Sequence, residues 1–140
     1  MKTTNNTHQV NGSHYEGIGK IEPVHLMVEY NLNWFQGEIL KYVSRHWTKN
    51  GITDLMKAIH IADMSIDLKP IYQSKERLHH IKTYIAYSEQ FRDRLEGHNR
   101  FGPVEFTALV QFIIAGNMKL VKSLINIMKY EFYEKTYIIG

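Results

Sequence analysis

Apolar positions recur along the chain at three- and four-residue steps, and no stretch sustains the apolar/polar alternation of a strand. The pattern predicts an all-α protein. Pro23 suits the first turn of a helix running to about Asn31, with Val24, Met27 and Val28 along one side. Asn33 is placed to cap a stronger helix, Trp34 to about Lys49, in which Phe35, Ile39, Tyr42, Val43 and Trp47 form one apolar face. Asn50-Gly51 breaks it. Thr53 or Asp54 can then cap a third helix whose Leu55, Ala58, Ile59, Ala62 and Ile66 face the same core, so the second and third helices are expected to form a hairpin.

Pro70 closes that unit, and Lys69 to Ser74 reads as a short connector. Beyond it the periods predict a helix from about Lys75 to Leu95, a turn through Gly97 to Pro103, a helix from Val104 to Ala115 and a last helix from Asn117 to Glu134. The Val104 to Ala115 segment is apolar nearly all round, and Leu120, Val121, Leu124, Ile125 and Met128 form a stripe on the last helix. Such surface in so small a chain leads to the expectation of a homo-oligomer. The architecture expected is a small helical bundle built on a helical hairpin, with a C-terminal helical extension used in oligomerisation. Residues 1–10 would be a polar arm, 11–70 the core and 71–140 the oligomerisation region.

Composition narrows the chemistry. Of 140 residues, 44% are hydrophobic and 22% charged, enough apolar material for a core, and there is no cysteine. Disulfides, thiol catalysis and thiolate metal sites are therefore excluded. The longest apolar run, Phe106 to Ala115, is far shorter than the roughly 20 residues of a membrane span, so a soluble protein without a membrane partner is expected. The net charge of +3 is too mild for duplex nucleic acid but suits a small anion.

Where the cations fall is more telling. Lys41, Arg45 and Lys49 stand at i, i+4 and i+8, one strip beside an apolar face, and such a strip attracts phosphate. Arg45 can grip a phosphate with two N–H groups while Lys41 adds a mobile charge, and Tyr42 or Trp47 could cover a base or ribose. A solvated helix face with Glu38 paired to Lys41 is the plainer reading of the same residues. Gly12-Ser13-His14-Tyr15 has the ingredients of an anion-contacting loop, or of an ordinary turn. His60, Asp63 and the His79-His80 pair make a metal site conceivable, without a spacing that fixes enough ligands.

Taken in order, Ser13-His14-Tyr15, Ile21-Glu22-Pro23, Gly37, Ile39, Lys41-Tyr42-Val43-Ser44-Arg45, Lys49 and Asp54-Leu55-Met56-Lys57-Ala58 resemble the motifs of a small family of phage and prophage proteins, domain of unknown function 3310. The resemblance covers roughly residues 11 to 68. That family is often labelled nucleotide kinase. The resemblance implies a polar site made of His14, Tyr15, Lys41, Arg45, Lys49, Asp54 and Lys57, to which the aromatic Tyr42 is added from the residue pattern. This chain departs from the family at Gly37, where an Asn is usual, and at His46-Trp47, where small residues are usual. Phage kinship implies action in the cytoplasm of an infected bacterium.

Phosphoryl transfer would need two nucleotides and usually magnesium, yet no Gly-x-x-x-x-Gly-Lys-Ser/Thr loop is present; holding one nucleotide asks for less. The reading favoured is a cofactor-free nucleotide-binding protein that sequesters a phosphate-bearing ligand, plausibly a cyclic signalling nucleotide of anti-phage immunity. Basic residues such as Arg92, Arg94 and Arg100 would complete the pocket from a neighbouring subunit. A magnesium-dependent nucleoside monophosphate kinase is the alternative, and a helical inhibitor of a host protein the third.

Overall fold

The computed structural model describes residues 19–73 and 81–135. Among them every regular element is helical: α1 Pro23–Glu29, α2 Trp34–Arg45, α3 Ile52–Leu68, α4 Ile81–Glu89, α5 Arg92–Leu95, α6 Pro103–Ala115 and α7 Met118–Lys129, the last running into a π-helical turn at Tyr130–Glu134. The protein is an all-α helical bundle.

Local chemistry sets most boundaries. Asn33 Oδ1 accepts the Gln36 N–H at 3.0 Å while Gln36 Oε1 accepts the Asn33 N–H at 2.7 Å, a reciprocal cap that starts α2. The Gln36 amide then donates to the carbonyls of Ile113 and Ile114, at 2.8 and 3.1 Å, so one buried side chain serves the start of α2 and the end of α6. Gly116 closes α6 with φ +77°, a conformation that favours glycine, and Asn117 caps α7.

Several expected boundaries shift. Helix α2 ends at Arg45, not near Lys49, because His46 and Trp47 turn inward onto the C-terminal end of the chain. Helix α3 starts at Ile52 with Gly51 at the cap position, so neither Thr53 nor Asp54 caps it. Asp54 instead lies in the first turn and its carboxylate reaches back to the Asn50 N–H at 3.2 Å. The single helix expected from Lys75 to Leu95 is interrupted between α4 and α5 at Gln90-Phe91, where backbone bonds tighten to i, i−3 spacing. On α1 the buried stripe is Leu26 with neighbouring Tyr30, while Val24 and Val28 are 55% and 67% exposed.

One core joins both halves of the chain. Leu26, Ile39, Leu40, Val43, Leu55 and Ala58 from the first half meet Phe106, Leu109, Val110, Ile113, Val121 and Ile125 from the second. Helices α2 and α3 form the expected hairpin, α3 packs along α7, and α6 touches α2, α4, α5 and α7. The apolar α6 is thus covered by its own chain, and its hydrophobicity no longer argues for an oligomer interface. No helix among the described residues is long and apolar enough to cross a membrane.

Candidate anion-binding cleft

The helical period of α2 sends Lys41, Ser44 and Arg45 to one side, and there they line a cleft of about 270 Å³. Thr48 and Lys49, in the turn after the helix, join them at the rim. The facing wall is the segment leading into α1, which brings Lys20 and Glu22, and the end of α4 brings Tyr87 and Phe91. Gln90 pins that wall: its Oε1 accepts the Ile21 N–H at 2.5 Å and its Nε2 donates to the Ile21 carbonyl at 2.9 Å. The three cations singled out from spacing therefore do share a concave surface.

Their electrostatics differ. Lys41 Nζ sits 3.0 Å from Glu38 Oε1, the pair anticipated for a solvated helix face, although Lys41 also lines the cleft. Arg45 is one-third exposed and faces the wholly buried Asp54, with Nε 3.4 Å from Oδ2 and Nη2 3.5 Å from Oδ1. These are long for charge-assisted hydrogen bonds, so the guanidinium is steered by Asp54 without being used up. Burial by itself would raise the Asp54 carboxyl. The Asn50 N–H and the Arg45 guanidinium outweigh it and hold the group below the usual carboxylate range. Among the described residues Lys20 and Lys49 pair with no carboxylate.

Other expected site residues lie elsewhere. Tyr42 and Lys57 line a separate groove with Met56 and His60, and the Tyr42 ring carries Lys41, Arg45 and Lys57 at 4.7, 4.8 and 5.8 Å from its centroid. Asp54 supports Arg45 from behind and lines neither hollow. His14, Tyr15 and the His79-His80 pair lie outside the described residues. Trp47 does not offer a face to the cleft; it is packed among Phe91, Phe106 and Phe132, and Phe91 supplies the aromatic wall in its place.

The three arginines expected to complete the pocket have partners of their own. Arg92 is bound to Glu89 and Glu96, Arg94 lies over Trp47 at 5.9 Å and Arg100 over Tyr130 at 5.0 Å; none of the three lines the cleft of its own chain. Asp63 pairs with Lys122 at 2.7 Å, and among the described residues no three of His, Asp and Glu gather as metal ligands.

Sequence reasoning missed Lys20, Ser44, Tyr87, Gln90 and Phe91. The i, i+4 spacing of Tyr87 and Phe91 marks a shared helix face, but nothing local says that this face turns toward α2.

Fold and site together define a small all-helical protein with a basic cleft at the meeting of α1, α2 and α4. Residues 10–63 match the family described as protein of unknown function, DUF3310. No curated protein and no solved structure matches the chain.

Proposed function

We propose that this protein binds a phosphate-bearing small molecule, a nucleotide, in the cleft beside α2 and holds it without chemical change. The observation that carries this reading is the convergence of Lys20, Lys41, Arg45 and Lys49 on one concave surface with an aromatic wall. Arg45 presents N–H groups to phosphoryl oxygens, Lys41, Lys20 and Lys49 supply mobile charge, and Phe91 offers a ring edge or face to a base. His14 and Tyr15, which the family resemblance implies, are retained as candidate ligand contacts.

Retention is favoured over transfer on two grounds. The cleft volume of about 270 Å³ falls below the roughly 300–1,000 Å³ of ordinary ligand pockets, which suits part of one nucleotide but not a donor and an acceptor together. Glu38 and Asp54 are engaged with Lys41 and Arg45 and are poorly placed to serve as metal ligands or a base, which leaves Glu22 as the one carboxylate among the residues lining the cleft, fewer than a magnesium site ordinarily uses. Sequestration of a nucleotide, the sponge-like role suggested by the phage-family resemblance, follows from retention.

The test is thermal-shift screening of mono-, tri- and cyclic nucleotides with and without magnesium, followed by heat denaturation and chromatography of the released ligand. A specific ligand at 100 times its dissociation constant stabilises the fold by about 2.7 kcal/mol and is recovered intact. In a second arm a nucleoside triphosphate and a monophosphate are incubated together with magnesium, and conversion of both to diphosphates would establish turnover instead.

A further inference from the structure

Serine and threonine hydroxyls inside helices usually fold back on their own backbone, and this chain shows the habit: Ser65, Ser88 and Thr107 donate to the carbonyls of Ala62, Tyr84 and Pro103 at 2.7, 2.8 and 3.0 Å. Ser44 makes no such bond. Its hydroxyl, half-buried at the cleft surface, meets the Tyr87 hydroxyl in a short hydrogen bond.

The direction of that bond follows from burial. Tyr87 is wholly buried, and among the described residues Ser44 is the only hydrogen-bond partner of its hydroxyl. If Ser44 were the donor, the phenolic proton would be left without an acceptor, at a cost of about 1–3 kcal/mol. Tyr87 therefore donates. Burial also pushes its ionisation well above the ordinary tyrosine range, which keeps the phenol protonated. Ser44, having accepted, is left with its own proton directed away from Tyr87. Lys41, Ser44 and Arg45 lie at i, i+3 and i+4 on α2 and all line the cleft, which puts that proton between the two cations of the strip.

We propose that Ser44 is a ligand-contacting donor in the cleft and Tyr87 its positioning residue, the phenol of Tyr87 fixing the Ser44 hydroxyl so that it donates to a phosphoryl oxygen held by Arg45. This rests on the anion-binding reading above. It adds a contribution from the half of the chain beyond the matched residues 10–63, since Tyr87 lies on α4.

Calorimetric titration of the full chain with pyrophosphate tests it, using wild type, Ser44→Ala, Tyr87→Phe and the double variant. Ser44→Ala is expected to weaken binding about 10- to 100-fold, the range of a hydrogen bond to a charged group, Tyr87→Phe about 3- to 10-fold, since it only frees the serine hydroxyl, and the double variant to be no weaker than Ser44→Ala. The dependence of affinity on salt should stay as in wild type for both, because neither change removes a charge, and should flatten for Arg45→Ala. Wild-type affinity in Tyr87→Phe, or losses that multiply in the double variant, would overturn the inference and leave the anion site standing. Should Tyr87→Phe fail to fold, wild-type affinity in Ser44→Ala would overturn it alone. No binding of pyrophosphate by wild type would overturn both readings.

Discussion

At the scale of single residues, Arg45 and Asp54 divide the labour between ligand and fold. Arg45→Ala is expected to weaken pyrophosphate binding by about 10- to 100-fold, the effect of losing a charged donor, which calorimetry reads directly. Asp54→Ala acts on stability first. It strips the Asn50 N–H of its acceptor and Arg45 of its counter-charge, and should cost about 1–3 kcal/mol in urea unfolding. Because the folded Asp54 carboxyl titrates below its unfolded value near 3.9, its stabilisation is present above that pH and lost as pH falls through the depressed value. The cations of the site were legible in the sequence because a helical period alone puts Lys41 and Arg45 on one side. Ser44 lay in the same motif and was passed over, since a helical serine ordinarily spends its hydroxyl on its own backbone.

Helices were readable to the extent that their stop signals are local. Asn33, Pro103 and Gly116 mark their ends within a residue or so of expectation, and each acts through neighbours only a few positions away. Asn33→Ala should lower stability by about 1 kcal/mol through the lost cap. Gly116→Ala should cost about 1–3 kcal/mol, because its φ of +77° disfavours a side chain and an added Cβ would stand 2.6 Å from the Tyr72 ring. Both are measured by thermal or urea melts. Failures came where a distant contact decides. On α1, Val24/Val28 and Leu26/Tyr30 are equally good stripes by spacing, and the second wins because the Tyr30 hydroxyl accepts the Tyr84 N–H at 3.2 Å and its ring packs edge-on against Tyr84. The break between α4 and α5 coincides with the grip of Gln90 on Ile21, 69 positions away.

For the molecule as a whole, His46 and Trp47 join the end of α2 to the last turn of the described chain. His46 Nδ1 and the Tyr133 hydroxyl are 2.6 Å apart, and Trp47 packs edge-on against Phe132, so these two residues moor the π-helical turn to the end of α2. Burial pushes the His46 imidazole down to about 3. Its folded value lies below the unfolded value near 6.5, so its contribution is complete above about pH 6.5 and declines as pH falls toward about 3. His46→Gln should flatten the pH dependence of the urea midpoint in the upper part of that window, from about pH 6.5 to 5, above the range in which Asp54 contributes. Global arrangement was the least legible level: periodicity gave six helices where the described residues hold seven, and could not say that α6 packs against α2, α4, α5 and α7 at once.

That central placement has a consequence for how the chain is made. The greasy sides of α1, α2 and α3 are synthesised first, and the strand of sequence that shields much of them leaves the ribosome only after Ala115. Until then the nascent polypeptide carries bare apolar flanks. The hairpin of α2 and α3 therefore gains its cover only once α6 and α7 are made, and a truncated chain ending before residue 100 is expected to be cut more readily in limited proteolysis.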